Sequence, residues 1–344
     1  MNSIKNQAFS RLCRILTAQE QTDACPPIDS SLWPEIFSMA DRTYVLPGLH
    51  QALMAKPLDD QVPEPMLETL DAIYQLTLAR CEESRAQIEE LTQALAAVNI
   101  MPVWLKGAAL LTEDTWQQNV RLMGDLDVWI PEPSEQQSAL DVFVELGYLY
   151  NPKHSEVSYT KHHHYAPLIH PRRLMPVELH KHVVRQTLSN LLPDAGAKDR
   201  LDIVDWQGNT MARLSLHDRI MQSLIQCTIM SPPQMGSGKT SLMKVLDLLR
   251  LLQRTRRNEL PASVVDDISS LPWRQTMSQF LTWLEKDFGI ANPLDYDDRY
   301  CAAIDCWVRS GKPPLSFTLQ QVMHLPARLG NKIIKQFKLY LVRS

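Results

Sequence analysis

Residues 100–131 read IMPVWLKGAALLTEDTWQQNVRLMGDLDVWIP, and their punctuation decides how the chain is organised around them. IMPVWLKG (100–107) is a short apolar run ending at Lys106-Gly107, the pattern of a strand that runs into a helix start. GAALLTEDTW (107–116) opens with Ala and Leu and predicts a compact helix. DLDVWI (125–130) is a second apolar run, stopped by Pro131, which cannot donate to a ladder. Side chains two apart on a strand share a face, so Asp125 and Asp127 project together while Leu126 and Val128 turn the other way. Two adjacent carboxylates repel unless a cation neutralises them. Oxygen-only ligation of this kind suits Mg2+, which takes one or two carboxylates together with substrate phosphates. Two such ions about 3.5–4 Å apart can activate an attacking oxygen and stabilise a leaving pyrophosphate.

A D-x-D pair alone carries little information, because most copies are solvated surface pairs. Context gives this one its weight. Downstream, SEQQSALDVFVELGY (134–148) predicts an amphipathic helix ending at Gly147. HHHYAPLIH (162–170), a turn at PRR (171–173) and MPVELHKHVV (175–184) predict a hairpin, with Pro167 and Pro171 making its outer strand irregular. The inner strand carries Glu178, the third carboxylate that a two-ion site needs. Upstream, Pro65 to Val98 shows sustained helical periodicity, and Leu32 to Ala55 reads as helical with a break at Pro47-Gly48. Residues 1–30 read as a short helix followed by the polar loop CPPIDSS. From Ser215 onward SLHDRIMQSLIQCTIM, SLMKVLDLLRLLQRT and MSQFLTWLEKDF again have the helical period. The fold class expected is α+β. A helical region (1–97) and a helical domain (213–344) flank an α/β core with a short mixed sheet (98–212).

The run from Leu105 to Pro131 resembles the signature of the uncharacterised bacterial nucleotidyltransferase family within the DNA polymerase β-like superfamily. The matching positions are Lys106, Gly107, Arg121, Gly124, Asp125 and Asp127. The later HHHYAPLIHPRRLMPVELHKHV resembles the family's His-rich hairpin, with Glu178 and His180 in its Glu-hydrophobic-His strand. The likeness spans about residues 30–255. It implies a minimal nucleotidyltransferase core in which Asp125, Asp127 and Glu178 are catalytic and ligate two Mg2+ ions. Lys106 and Gly107 would lie at the triphosphate, with the glycine letting the backbone approach. Arg121 would pair with a phosphate or with Asp125, or else form a structural salt bridge. Gly124 and His180 complete the nucleotide-binding set, His180 either touching substrate or orienting a carboxylate.

Two other patterns compete. PPQMGSGKTS (232–241) ends like a phosphate-binding P-loop, but Pro233 occupies the first glycine position and the preceding segment reads as a helix. Lys239 is therefore expected in an inter-helix loop, where it could contact the same nucleotide. His162, His164, His180 and His182 alternate so that four imidazoles could converge on zinc, with the bland alternative a cluster beside the active site. ARLGNKIIKQFKLYLVRS (327–344) is basic through Arg328, Lys332, Lys335 and Lys338, and its apolar positions fit docking on the protein's own core.

Bulk properties narrow the class. The chain has 344 residues, 44% hydrophobic and 22% charged, with a formal net charge of −4, which excludes a histone-like polycation. Its six cysteines (Cys13, Cys25, Cys81, Cys227, Cys301, Cys306) form no C-x-x-C pair. No secretory leader and no membrane-length apolar run is apparent, so a cytoplasmic location is expected. The expected enzyme moves a nucleoside monophosphate from ATP or another NTP to an RNA end, a protein hydroxyl or a small molecule. A P-loop kinase or ATPase, and a non-catalytic nucleotide-binding module, are the alternatives.

Overall fold

A computed structural model describes residues 2–17, 28–55, 61–151, 159, 162–230, 241–255, 259–270 and 273–294. The Lys239 loop and the basic C-terminal stretch lie outside these residues, as do Cys25, Cys301 and Cys306. The class is α+β, and the chain divides into two compact units. One comprises residues 1–78, 120–122 and 226–344, the other 79–119 and 123–225.

The second unit is built on a seven-stranded mixed sheet in the order β3-β4-β5-β2-β1-β7-β6. Its centre is β2 (Leu126–Trp129), every residue of which is buried, as the continuous apolar run requires. On one side β2 pairs antiparallel with β1 (Val103–Trp104), which runs parallel to β7 (Asn209–Arg213). On the other side it runs parallel to β5 (Val177–His180). Antiparallel β4 (Leu168–Ile169) and β3 (Leu149–Tyr150) extend that side. The far edge is β6 (Asp202–Trp206), joined to β7 by a two-residue turn at Gln207-Gly208 with φ of 55° and 74°. Positive φ at both turn residues matches the twist of a tight hairpin. This hairpin is absent from the sequence expectation, which placed only the end of the core there.

The long helix expected at 65–98 forms as α4 (Glu64–Ala97), and its C-terminal half belongs to this unit. Trp104 Nε1 donates to Thr92 Oγ1 at 3.0 Å, fixing β1 against that helix. Gln87, also on α4, donates to the Tyr148 hydroxyl at 2.9 Å and the Met175 carbonyl at 2.8 Å. Its Oε1 accepts from the Met175 N–H at 3.2 Å, so a buried amide clamps the entry to β5. Short α5 (Lys106–Leu111) follows β1, α6 (Pro133–Glu145) follows β2, and α7 (Asp194–Asp199) and α8 (Leu216–Ile225) follow β5 and β7.

The first unit contains α1 (Asn2–Thr17), α2 (Trp33–Arg42), α3 (Leu46–Ala55), the start of α4, α9 (Leu242–Leu252), α10 (Ala262–Ser269) and α11 (Arg274–Phe288). Trp283 anchors its core, with ring centroids 5.7 Å from Phe280 and 5.2 Å from Phe288. The break expected at Pro47-Gly48 falls earlier, at Thr43 and Tyr44, where Tyr44 has φ 63°. Pro47 instead sits in the first turn of α3, where its missing N–H leaves no bond unmade. Gly48 stays helical and permits close packing, since a Cβ there would lie 3.2 Å from Leu246. Among the described residues no helix is long and apolar enough to cross a membrane.

Candidate active site

Two parallel neighbours in register create the site. Asp127 on β2 lies directly opposite Glu178 on β5, and Trp129 lies opposite His180. Directly opposed residues of paired strands share a face, so both carboxylates point the same way, as does His180 two residues beyond Glu178. Ligand-type atoms of Asp127, Glu178 and His180 lie within 4.8 Å of one another, a spacing over which a cation could be shared. Asp125 lies just before β2, half-buried and outside that trio.

Lys106 reaches this face from the opposite flank. The Leu105 N–H donates to the Asp127 carbonyl at 3.0 Å, so the start of α5 is pinned to β2. The chain then reverses at Lys106, whose φ of 50° is left-handed for a non-glycine residue. Gly107, next along, is buried in α5 and does not have a positive φ. The turn's conformational demand thus falls on the lysine. Its Nζ lies 2.5 Å from Asp127 Oδ1, and His180 Nε2 lies 2.7 Å from the same oxygen. Both bonds fall on Oδ1, which leaves Oδ2 as the oxygen with which Asp127 could take a cation.

Charge in this small space sorts the groups. Burial alone would raise Asp127, but the Lys106 ammonium and the His180 bond outweigh it and hold the carboxylate well below its usual range. Burial alone would lower Lys106, yet Asp127, Asp125 and Glu178 outweigh that and raise it. Glu178 goes the other way, pushed up to about 8 by burial and then by the negative charges of Asp127 and Asp125. Burial, then the Lys106 charge, lowers His180 from its ordinary value. The side chains of His180, Asp127, Glu178 and Lys106 are 0%, 4%, 19% and 24% exposed, so the site opens toward glutamate and lysine. The fully enclosed His180 holds one Asp127 oxygen in a 2.7 Å hydrogen bond.

Gly124 is exposed at the bend before Asp125. Arg121 has a structural partner, with Nη2 3.3 Å from Asp247 in the first unit. The four alternating histidines do not converge. Strand β5 ends at His180, and His182 beyond it turns to Asp194, Nδ1 to Oδ2 at 2.6 Å. His162 packs against the Tyr159 ring, centroids 4.7 Å apart. His164, by contrast, joins the site, with Nε2 3.8 Å from Glu178 Oε2. Burial, above all, lowers its ring to about 4, and His163 beside it to about 2. The His-rich hairpin was the sequence signal for His164, but only the strand register singles it out.

No curated protein and no solved structure matches the chain. Residues 29–289 match the family described as uncharacterised nucleotidyltransferase. The strand-borne carboxylates and the Lys106 turn lie inside that match, and the chain belongs to this uncharacterised nucleotidyltransferase family.

Proposed function

We propose that the protein transfers a nucleoside monophosphate from an NTP, ATP among the candidates, to an acceptor hydroxyl of RNA, protein or a small molecule, releasing pyrophosphate. The observation that carries this reading is the register of Asp127 against Glu178, with the Lys106 ammonium on the same face. Asp125, Asp127 and Glu178 would hold two divalent cations, Mg2+ being the natural choice for oxygen ligands. Such ions, when bound, supply positive charge to the α-phosphate and the departing pyrophosphate. The chain's own residues do the rest. His180 keeps Asp127 oriented through Nε2. Glu178, once ionised, would accept the proton of the attacking hydroxyl. The acceptor oxygen bonds to the α-phosphorus as the bond to the bridging oxygen of the β-phosphate breaks. Lys106, released from Asp127, can pair with the triphosphate. Gly107, Gly124, Arg121 and Lys239 remain nucleotide-binding proposals, and the cytoplasm remains the proposed location.

The test uses α-labelled NTPs, Mg2+ or Mn2+, and a cell extract separated into RNA, protein and small-molecule fractions. Label should enter one fraction with the native protein and none with the Asp125→Ala/Asp127→Ala double variant. Equal labelling by both proteins would overturn the proposal.

A further inference from the structure

The outer strand of the hairpin carries a register slip whose result is chemical. Leu168 pairs with Val177, yet His164 pairs with His180. Four steps on the outer strand therefore match three on β5, so one extra residue is accommodated around Pro167. That is a β-bulge, a device that re-aims side chains. Without it His164 would oppose Lys181 and its ring would point away from the carboxylates. With it, His164 shares the face of His180 and Glu178. The Tyr165 N–H bond to the Leu179 carbonyl at 2.8 Å and the Lys181 N–H bond to the His163 carbonyl at 2.7 Å hold the slipped register on both sides of His164.

The two imidazoles on this face differ in what they can offer. His180 Nε2 is occupied by Asp127 Oδ1 at 2.7 Å, in a bond that requires the proton on that nitrogen. His164 is arranged oppositely. Its Nδ1 lies 2.7 Å from the Tyr165 carbonyl, which can only accept, so Nδ1 carries the proton. Nε2 therefore presents a lone pair, and it faces Glu178 Oε2 at 3.8 Å. Two ligands of one divalent ion stand about 3–3.6 Å apart at ordinary bond lengths. A small rotation of the Glu178 carboxyl closes the difference.

We propose that His164 Nε2 and Glu178 together ligate one of the site's cations, so that this position takes a transition-series divalent ion, Mn2+ in the test below, in preference to Mg2+. The proposal rests on the reading that the carboxylate face binds cations, and it adds a nitrogen ligand to a site otherwise made of oxygen. Imidazole suits Zn2+, Fe2+ and Ni2+, whereas Mg2+ prefers oxygen; Mn2+, the transition-series ion nearest to Mg2+ in ligand preference, is the most demanding probe of the difference.

The experiment uses the full chain with Mn2+ alone, without nucleotide, so that no base nitrogen can contribute. Bound Mn2+ is counted from loss of the free-ion paramagnetic resonance signal, and directly coordinated nitrogen is read from electron spin-echo modulation. The expected result is a nitrogen modulation that changes on labelling with 15N-histidine and disappears in His164→Ala, with Mn2+ bound at least about tenfold more weakly in that variant. Mg2+ competition should change by less than about twofold, because magnesium gains little from the imidazole. His164→Gln supplies a second variant, and unchanged circular dichroism of both shows that the fold is kept. Mn2+ binding that needs Asp127 but shows no nitrogen modulation overturns the role of His164 and leaves the nucleotidyltransferase reading standing. Modulation that persists in His164→Ala and vanishes in His180→Ala likewise overturns it. Absence of Mn2+ binding also overturns the role of His164, while the nucleotidyltransferase reading, in which substrate phosphates help to hold the ions, stands or falls by the labelling experiment.

Discussion

At the scale of single residues, the chemistry turns on one aspartate oxygen that serves two donors. Lys106 and His180 both bond to Asp127 Oδ1, at 2.5 and 2.7 Å. The lysine thereby supplies positive charge where a cation would otherwise be needed, at the cost of a left-handed backbone at φ 50°. Lys106→Met should therefore tighten Mn2+ binding in the absence of nucleotide by about tenfold or more. Unit charges a few ångströms apart interact by several kcal/mol at an effective dielectric of about 20. The same variant should bind ATP more weakly, since it loses the group proposed for the triphosphate. Titration calorimetry separates the two effects, and unchanged Mn2+ affinity would show that the lysine does not compete with the ion. Glu178 gives a pH signature. Its folded value of about 8 stands above the ordinary 4.5. Between those values the folded protein holds a proton that the unfolded chain has lost, so stability falls as pH rises through the window and levels off above it. Melting temperatures of the metal-free native protein should decline more steeply over that range than those of Glu178→Gln. Added divalent cation, which needs the ionised carboxylate, should stabilise increasingly toward the alkaline end. Parallel slopes for the two proteins would remove Glu178 from the buried, charge-crowded position assigned to it.

Elements explain why some of this could be read from the sequence and some could not. Strand β2 was legible because a central strand must be apolar on both faces, so the aspartates stand out against Leu126, Val128 and Trp129. Helix α4 was legible from its length and period, and α6 from its end at Gly147, where φ is 94°. The β6–β7 hairpin was not, because β6 exposes Asp202, Ile203 and Asp205 and so shows no alternation of apolar and polar residues. The bulge opposite His180 was equally hidden, since register depends on pairing partners that no local pattern encodes. Zinc held by four imidazoles requires β5 to continue through His182, and the strand ends at His180. The Gln87 clamp could not have been foreseen either, since it joins residues 88 apart in the chain. It makes a prediction for its element. Gln87→Leu leaves the Met175 N–H and carbonyl unpaired in a buried setting, costing about 1–3 kcal/mol for each group. Because Met175 leads into β5, transfer activity should fall by more than the folded fraction does. Denaturant unfolding measured beside specific activity decides the point: a loss of activity no greater than the loss of folded protein would limit Gln87 to a stabilising role.

For the whole molecule, the question is which stretch of chain makes the catalytic unit. Sequence texture drew the α/β core at 98–212, where helical periodicity gives way to strands and later returns. The compact unit that contains the site comprises residues 79–119 and 123–225, so it includes that stretch, apart from 120–122, together with flanking helix on either side. The flanks are bonded to the stretch between them. Residues 79–97 carry Gln87 and Thr92, and also Arg85, whose guanidinium bonds the Leu111 carbonyl and lies 4.6 Å over the Trp116 ring and 5.1 Å over Trp206. At the other end, buried Asp218 on α8 receives Arg200 at 2.7 Å, and Gln222 donates to the Val183 carbonyl at 3.2 Å. Cutting at 98 and 212 strands the partners of all these bonds and bares the apolar surface that α4 and α8 cover. A fragment of residues 79–225 should accordingly be soluble and unfold cooperatively, whereas 98–212 should be insoluble or melt without a transition. Circular dichroism of the two fragments through a thermal ramp is the comparison. A cooperative melt of 98–212 within a few degrees of 79–225 would mean that the strands hold themselves together and that α4 and α8 merely rest on them.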